Sequence, residues 1–148
     1  MSRIFWDTNL FIYVLEARGD LARKTKRLRQ RMTERGDLLV TSAITLGEVL
    51  VKPKRLGRLD LVKTYEQALR PPAVSIIAFD EHCARIYAEV RQDKAIQAAD
   101  AVQLSCSAHA RCDMFVTNDE RLSRKMITGI HFIASLDRAL LFIGAGQI

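Results

Sequence analysis

The stretch Ile4-Phe5-Trp6-Asp7-Thr8-Asn9, followed by the mostly apolar residues 10–15, is the reading on which the fold turns. Three large apolar residues in succession, with no polar alternation, are the pattern of a strand covered on both faces. Asp and Thr then interrupt the run, and both cap helices well. The same order recurs along the chain. Leu38-Leu39-Val40 leads into Thr41-Ser42 and a helix through Val51. Residues 74–79 lead into Asp80 and a helix through about Asp93, and Met114-Phe115-Val116 leads into Thr117-Asn118-Asp119 and a short helix. Longer helices are expected between these units. Residues 20–35 place Leu21, Thr25, Leu28 and Met32 at helical spacing, with Asp20 expected as N-cap. Residues 56–70 gather Leu59, Val62, Tyr65, Ala68 and Leu69 on one side, and residues 97–110 are rich in small side chains suited to close packing. Strands alternating with helices predict an α/β fold: three layers, α/β/α, around a central, mostly parallel sheet. Ligands of such sheets bind beyond the carboxyl ends of the strands.

The 148 residues carry no linker, repeat or low-complexity segment, so one domain over 1–148 is expected. A chain of this size buries roughly 68–70% of its unfolded surface. Hydrophobic residues at 49% and charged residues at 27% are those of a globular protein rather than a disordered or fibrous one. No uncharged apolar run is long enough to span a membrane. Asp7 falls where a secretion signal would need its apolar core. Cys83, Cys106 and Cys112 are odd in number and widely spread, as expected of reduced thiols in a cytoplasmic protein. With 23 Lys+Arg against 17 Asp+Glu, the net +6 suits a polyanionic partner.

Four acids stand out at the expected strand ends. Asp7 follows the first strand; read alone, it or Thr8 merely caps the next helix. Glu48 has the form of a capping box with Thr45, but a helix beginning near Ser42 or Ala43 places it more than a turn inside. Asp100 sits in Gln97-Ala98-Ala99-Asp100-Ala101-Val102-Gln103-Leu104, with no basic residue three or four positions away. A carboxylate in such company must cap the helix, meet a distant charge or bind a metal, because burying it unpaired is costly. Asp119 follows a late strand, with Thr117 and Asn118 either hydrogen-bonding supports or turn residues. Together, the four project to one edge of the sheet. Carboxylates so crowded resist ionisation unless a divalent cation offsets them. Oxygen-only ligands favour Mg²⁺ or Mn²⁺ over Zn²⁺, and such ions activate water and clamp phosphates. Asp80 fits the same strand-end pattern but is read as the cap of the helix starting at Glu81. Asp113 precedes its strand and belongs to the opposite edge, and Asp137 is a capping or surface acid.

Asp7-Thr8-Asn9, Glu48 within Thr45-Leu46-Gly47-Glu48-Val49, Asp100 within Ala-Ala-Asp-Ala, and Thr117-Asn118-Asp119 together resemble the PIN-domain family, most closely its VapC-type toxins. No single motif is specific; the ordered set over about residues 3–135 is. The resemblance implies a five-stranded parallel sheet and a Mg²⁺- or Mn²⁺-dependent endoribonuclease acting on RNA. It makes Asp7 and Asp100 the principal metal ligands. Glu48 and Asp119 complete the acidic pocket, holding a second metal or orienting water, with Thr8 and Thr117 supporting the carboxylates. It also implies a small antitoxin partner and a homodimer. Asp80 has no counterpart in the family's acidic set. The segment before Asp100 lacks the Gly or Pro often found there, which bears on where that helix starts.

Basic residues crowd the helix expected over 20–35, which either meets RNA phosphates or forms a solvated face. Lys52, Lys54, Arg55 and Arg58 form a second cluster. Cys106, His109 and Cys112 have a tempting metal spacing, but these positions diverge around a helix and no fourth ligand is nearby. Buried thiols and a surface imidazole are the expectation. His82 and His131 have no recognisable partner, and residues 140–143 either cover the core or make a dimer contact. The other classes considered are a non-toxin nuclease processing RNA or DNA, a binding module with a dead site, and a Mg²⁺-dependent phosphoacceptor module. The last would need a Lys after the late strand, where this chain has Thr-Asn-Asp.

Overall fold

A computed structural model describes residues 1–16 and 18–144. The five strands are β1 (Arg3–Trp6), β2 (Leu38–Ser42), β3 (Ser75–Ile77), β4 (Met114–Val116) and β5 (Phe132–Ala134). All pair in parallel, in the order β3-β2-β1-β4-β5. The helices are α1 (Thr8–Leu15), α2 (Asp20–Arg35), α3 (Ala43–Arg55), α4 (Leu59–Ala68), α5 (Glu81–Val90), α6 (Ala98–His109), α7 (Glu120–Ser123) and α8 (Leu136–Gly144). The expected three-layer α/β/α fold is the fold observed.

The unbroken apolar strands are explained by what covers each face. Ile4, Trp6, Leu39, Met114, Val116 and Ala134 point to one side, where they meet side chains of α1, α2, α3, α4 and α8. Phe5, Val40, Phe115 and Ile133 point to the other, against α5, α6 and α7. Phe5 and Phe115, neighbours across β1 and β4, stack with centroids 5.0 Å apart. Alternation along each strand is therefore between two cores rather than between core and water.

Several local expectations shift. The cap of α2 is Gly19 at φ 84°, not Asp20. Asp20 is instead the first helical residue, where its charge suits the helix dipole and pairs with Arg23 and Lys24. Helix α3 runs past Val51 to Arg55, because Pro53 lies in its last turn and forfeits a single intrahelical bond there. Gly57, at φ 65°, separates it from α4, which starts only at Leu59, an exposed residue. Helix α5 stops at Val90 rather than near Asp93, and β3 is confined to three residues. Asp80 caps α5, its Oδ1 accepting from the Cys83 N–H at 3.0 Å. Asp113 accepts from the Arg3 N–H at the amino edge of β1, and Asp137 pairs with Lys24 on the surface. Ala139 and Ile143 of α8 are buried in the core, while Leu141 is exposed.

The basic helix faces inward more than its composition suggests. Arg31 donates to the Leu140 carbonyl at 2.8 Å and Arg35 to that of Ile143 at 3.4 Å, so two cations sit on the carboxyl end of α8. Lys24 bridges Asp20 and Asp137, and Arg29 donates to the Ala73 carbonyl. Much of this charge holds helices together.

The strand order sets the position of the site. The chain lays β2 and β3 on one side of β1, then returns to lay β4 and β5 on the other. Helix α1 leaves β1 toward one face, and α7 leaves β4 toward the other. That divergence opens a crevice above the carboxyl ends of β1 and β4.

Candidate active site

Asp7 stands at the mouth of this crevice. Its backbone N–H extends the sheet ladder by donating to the Val116 carbonyl at 3.0 Å. Its carboxylate is held at both oxygens. Oδ1 accepts from the Thr8 N–H at 2.8 Å, and Oδ2 accepts from the Thr117 hydroxyl at 2.9 Å. The Asp thus caps α1 and also ties the exits of β1 and β4 together. Burial drives its pKa up; the two hydrogen bonds oppose that rise, and the charges of Glu48 and Asp119 add to it.

Glu48 arrives on α3, whose start is fixed by Ser42: its hydroxyl caps the helix by accepting from the Thr45 N–H. The helix cap is therefore Ser42, and Glu48 lies free of any capping box. Its Oε1 accepts from the Thr8 hydroxyl at 2.8 Å. Asp119 caps α7, Oδ1 accepting from the Arg121 N–H at 2.9 Å, and its own N–H donates to the Thr117 hydroxyl at 3.1 Å. The Arg121 guanidinium reaches both of its oxygens and holds this carboxyl below the usual range. Asp100 lies in the first turn of α6. Its pKa is raised by burial first, then by Asp7 and Asp119, with Arg121 opposing. The four acids so form one group, the acid row: Glu48 and Asp119 act on Asp7, and Asp7 and Asp119 act on Asp100.

Residues 41, 42, 45 and 103 extend the site in a way that no motif marks. Gln103, one turn past Asp100 and 3% exposed, donates to the hydroxyls of Thr45 at 2.7 Å and Thr8 at 3.0 Å. Its carbonyl oxygen accepts from the Ser42 hydroxyl. Thr41 adds a contact to Thr45 at 2.9 Å. This buried hydroxyl cluster locks α1, β2, α3 and α6 to one another beneath Glu48. An amide three residues after an acid on an otherwise small, apolar helix was the available signal.

A cleft of about 490 Å³ opens beside Asp100 and Asp119, and its wall includes Arg121, Arg124 and Lys125. These three cations, rather than the helix over 20–35, border the acids. Asn118 is turned away: it is exposed and donates to the Tyr13 hydroxyl at 3.2 Å, with no hydrogen bond to any of the four acids. Thr8 and Thr117 do make such bonds. The donor set of the row is all oxygen, which suits a hard divalent cation. Among the described residues, the trio of ligand atoms lying within 4.8 Å of one another belongs elsewhere, to Asp80, Cys83 and His109. The acid row is more open than a preformed ion cage.

The PIN-domain profile matches residues 4–126 of this chain. No curated protein sequence matches it significantly. Among solved structures, it is similar to VapBC2 from Rickettsia felis bound to a DNA fragment from its promoter. The TM-score is 0.72 at 16% identity, over 90% of this chain and 98% of that one. A toxin–antitoxin complex from Klebsiella pneumoniae is also similar, with TM-score 0.64 at 22% identity, over 86% and 94% of the two chains. At these identities the likeness is one of fold.

Proposed function

The chain belongs to the PIN-domain family, and from that premise we propose that it is a metal-dependent endoribonuclease, the toxin of a toxin–antitoxin pair. The observation that carries the reading is the acid row: Asp7 and Asp100 are both pushed up in pKa by burial and by neighbouring carboxylates, beside a wall of three cations. Acids so placed suit a divalent cation that offsets their charge. Asp7 and Asp100 are the principal ligands, with Glu48 and Asp119 completing the pocket. Mg²⁺ or Mn²⁺, when bound, supplies the Lewis acidity that phosphodiester hydrolysis needs.

The chain's own residues divide the remaining work. Thr117 and the Thr8 N–H keep the Asp7 carboxylate fixed and favour its ionised form. Thr8 orients Glu48 through Oε1, and the second oxygen of Glu48 accepts a hydrogen bond from the attacking water. Arg121, Arg124 and Lys125 bind backbone phosphates of the RNA and draw the strand toward the acids. The toxin–antitoxin complexes of similar fold support an antitoxin partner for this chain as well. A homodimer and a cytoplasmic location belong to the same proposal; no helix among the described residues is long and apolar enough to cross a membrane.

The test is cleavage of matched RNA and DNA oligonucleotides by purified protein. RNA cleavage with Mg²⁺ or Mn²⁺, abolished by EDTA and by Asp7→Asn, is the expected result. Metal-independent cleavage unaffected by Asp7→Asn overturns the proposal, and metal-dependent cleavage of DNA alone moves the substrate to DNA.

A further inference from the structure

A second cluster of metal-ligating side chains lies outside the acid row. Asp80 and Cys83 stand three residues apart at the start of α5, where residues at that spacing share a helix face. His109 closes α6, which packs along α5. One ligand atom from each of the three lies within 4.8 Å of the other two, and Asp80 Oδ2 is 3.9 Å from His109 Nε2. We propose that Asp80, Cys83 and His109 form a metal centre for Zn²⁺ or a similar borderline-soft cation, clipping the start of α5 to the end of α6.

The surroundings favour this reading over a chance meeting of polar groups. Asp80 uses Oδ1 to cap the helix, which fixes the carboxylate and leaves Oδ2 directed toward His109. The His109 ring is stacked on that of His82, with centroids 5.5 Å apart and planes 3° from parallel. Behind the site, the Cys83 S–H donates to the Ala78 carbonyl at 3.5 Å, a contact that holds the sulfur in place and whose proton the metal displaces. Partners of this kind are what orient and tune metal ligands. Cys83 is fully buried, whereas Asp80 and His109 are exposed, so an ion enters from solvent with the sulfur as floor.

The required movement is at most about 1.2 Å at any pair of ligands. With bonds of about 2.3 Å to sulfur and 2.0–2.1 Å to nitrogen and oxygen, tetrahedral ligands stand about 3.3–3.6 Å apart. Asp80 and His109 must therefore close by roughly half an ångström. On binding, Cys83 gives up its S–H proton to solvent, and His109 binds as the neutral imidazole. Water takes the fourth position. Sulfur, nitrogen and one carboxylate select against Mg²⁺, so the two sites sort metals by chemistry. Sequence spacing alone pairs Cys106 and His109 with Cys112. The fold instead brings in Cys83 and Asp80, and keeps Cys112 buried elsewhere.

The test is a Co²⁺ titration of the full chain, freed of metal and kept reduced, and it does not depend on nuclease activity. One equivalent should give thiolate-to-cobalt charge-transfer absorption in the near ultraviolet with tetrahedral d–d bands. Zn²⁺ should displace it and millimolar Mg²⁺ should not. His109→Ala, at a surface position, should weaken binding by at least about tenfold, and Cys83→Ser should remove the charge-transfer band. Asp7→Asn should leave the titration unchanged. Absence of the thiolate band at one equivalent, or unaltered affinity in His109→Ala, overturns the proposal.

Discussion

Gln103→Leu isolates the buried cluster under Glu48 at nearly constant side-chain size. The amide donates to Thr45, to Thr8 and, at 3.5 Å, to Glu48, and it accepts from Ser42. Thr45 and Thr8 keep other partners, namely Thr41 and Glu48. Losing the amide at those two hydroxyls therefore costs about 0.5–1.5 kcal/mol each. Ser42 is worse placed. It is fully buried, and its hydroxyl proton is left facing a methyl group, a desolvation loss of about 1–3 kcal/mol. The sum is about 2–6 kcal/mol, partly offset by the apolar gain of leucine. For a domain of this size, that lowers Tm by roughly 5–15 °C. Urea denaturation should show a lower midpoint at an unchanged slope, the mark of lost stability rather than an altered unfolded state. RNA cleavage per folded molecule should fall as well, because Thr8, which orients Glu48, loses one of its anchors. A stability loss under about 1 kcal/mol with full activity would refute the argument that Gln103 holds the acid row from beneath.

Three further perturbations probe the row itself. Because burial raises the Asp7 pKa, the folded chain holds this proton to higher pH than the unfolded chain does. Metal-free stability therefore falls as pH climbs from about 4 through the raised value. Asp7→Asn should flatten that fall and raise Tm in EDTA at pH 7 while abolishing cleavage; a lower Tm there counts against a buried carboxylate that costs stability. Thr117→Val removes a hydrogen bond that favours ionised Asp7, so the acid limb of the cleavage profile should move to higher pH, and an unmoved limb in a pH–rate series contradicts that role. Arg121→Gln should leave stability within about 0.5 kcal/mol, since the side chain is exposed. It should also weaken RNA binding and reduce the magnitude of the salt slope by about one, read from filter binding at several salt concentrations.

How far the sequence carried can be seen at individual residues. Ile4-Phe5-Trp6 and Met114-Phe115-Val116 announce strands covered on both faces, because only such strands tolerate large apolar residues in unbroken succession. Asp100 announces a special acid, because no helical neighbour can neutralise it. The caps at Ser42 and Asp80 follow from local hydrogen bonding, which the chain writes within three or four residues. Asp20 shows the limit of that local code, since Gly19, with its left-handed backbone, takes the cap instead.

The amino-acid sequence by itself determined the alternation of strands and helices, the three layers and the positions of the acids along the chain. Each depends on periodicity or on contacts between near neighbours. Only the tertiary structure decided which distant groups share a space. It put Gln103 under Thr8 and Thr45, Arg121, Arg124 and Lys125 beside the acids, and Asn118 against Tyr13. It also turned Arg31 and Arg35 onto the end of α8, and set His109 against Asp80 and Cys83 rather than Cys112. Most of these meetings join atoms many residues apart, created by distant strands pairing and by helices packing on one another, as α2 does on α8 and α5 on α6. A linear pattern carries no record of that pairing, so the partners of each charge become visible only when the sheet is assembled.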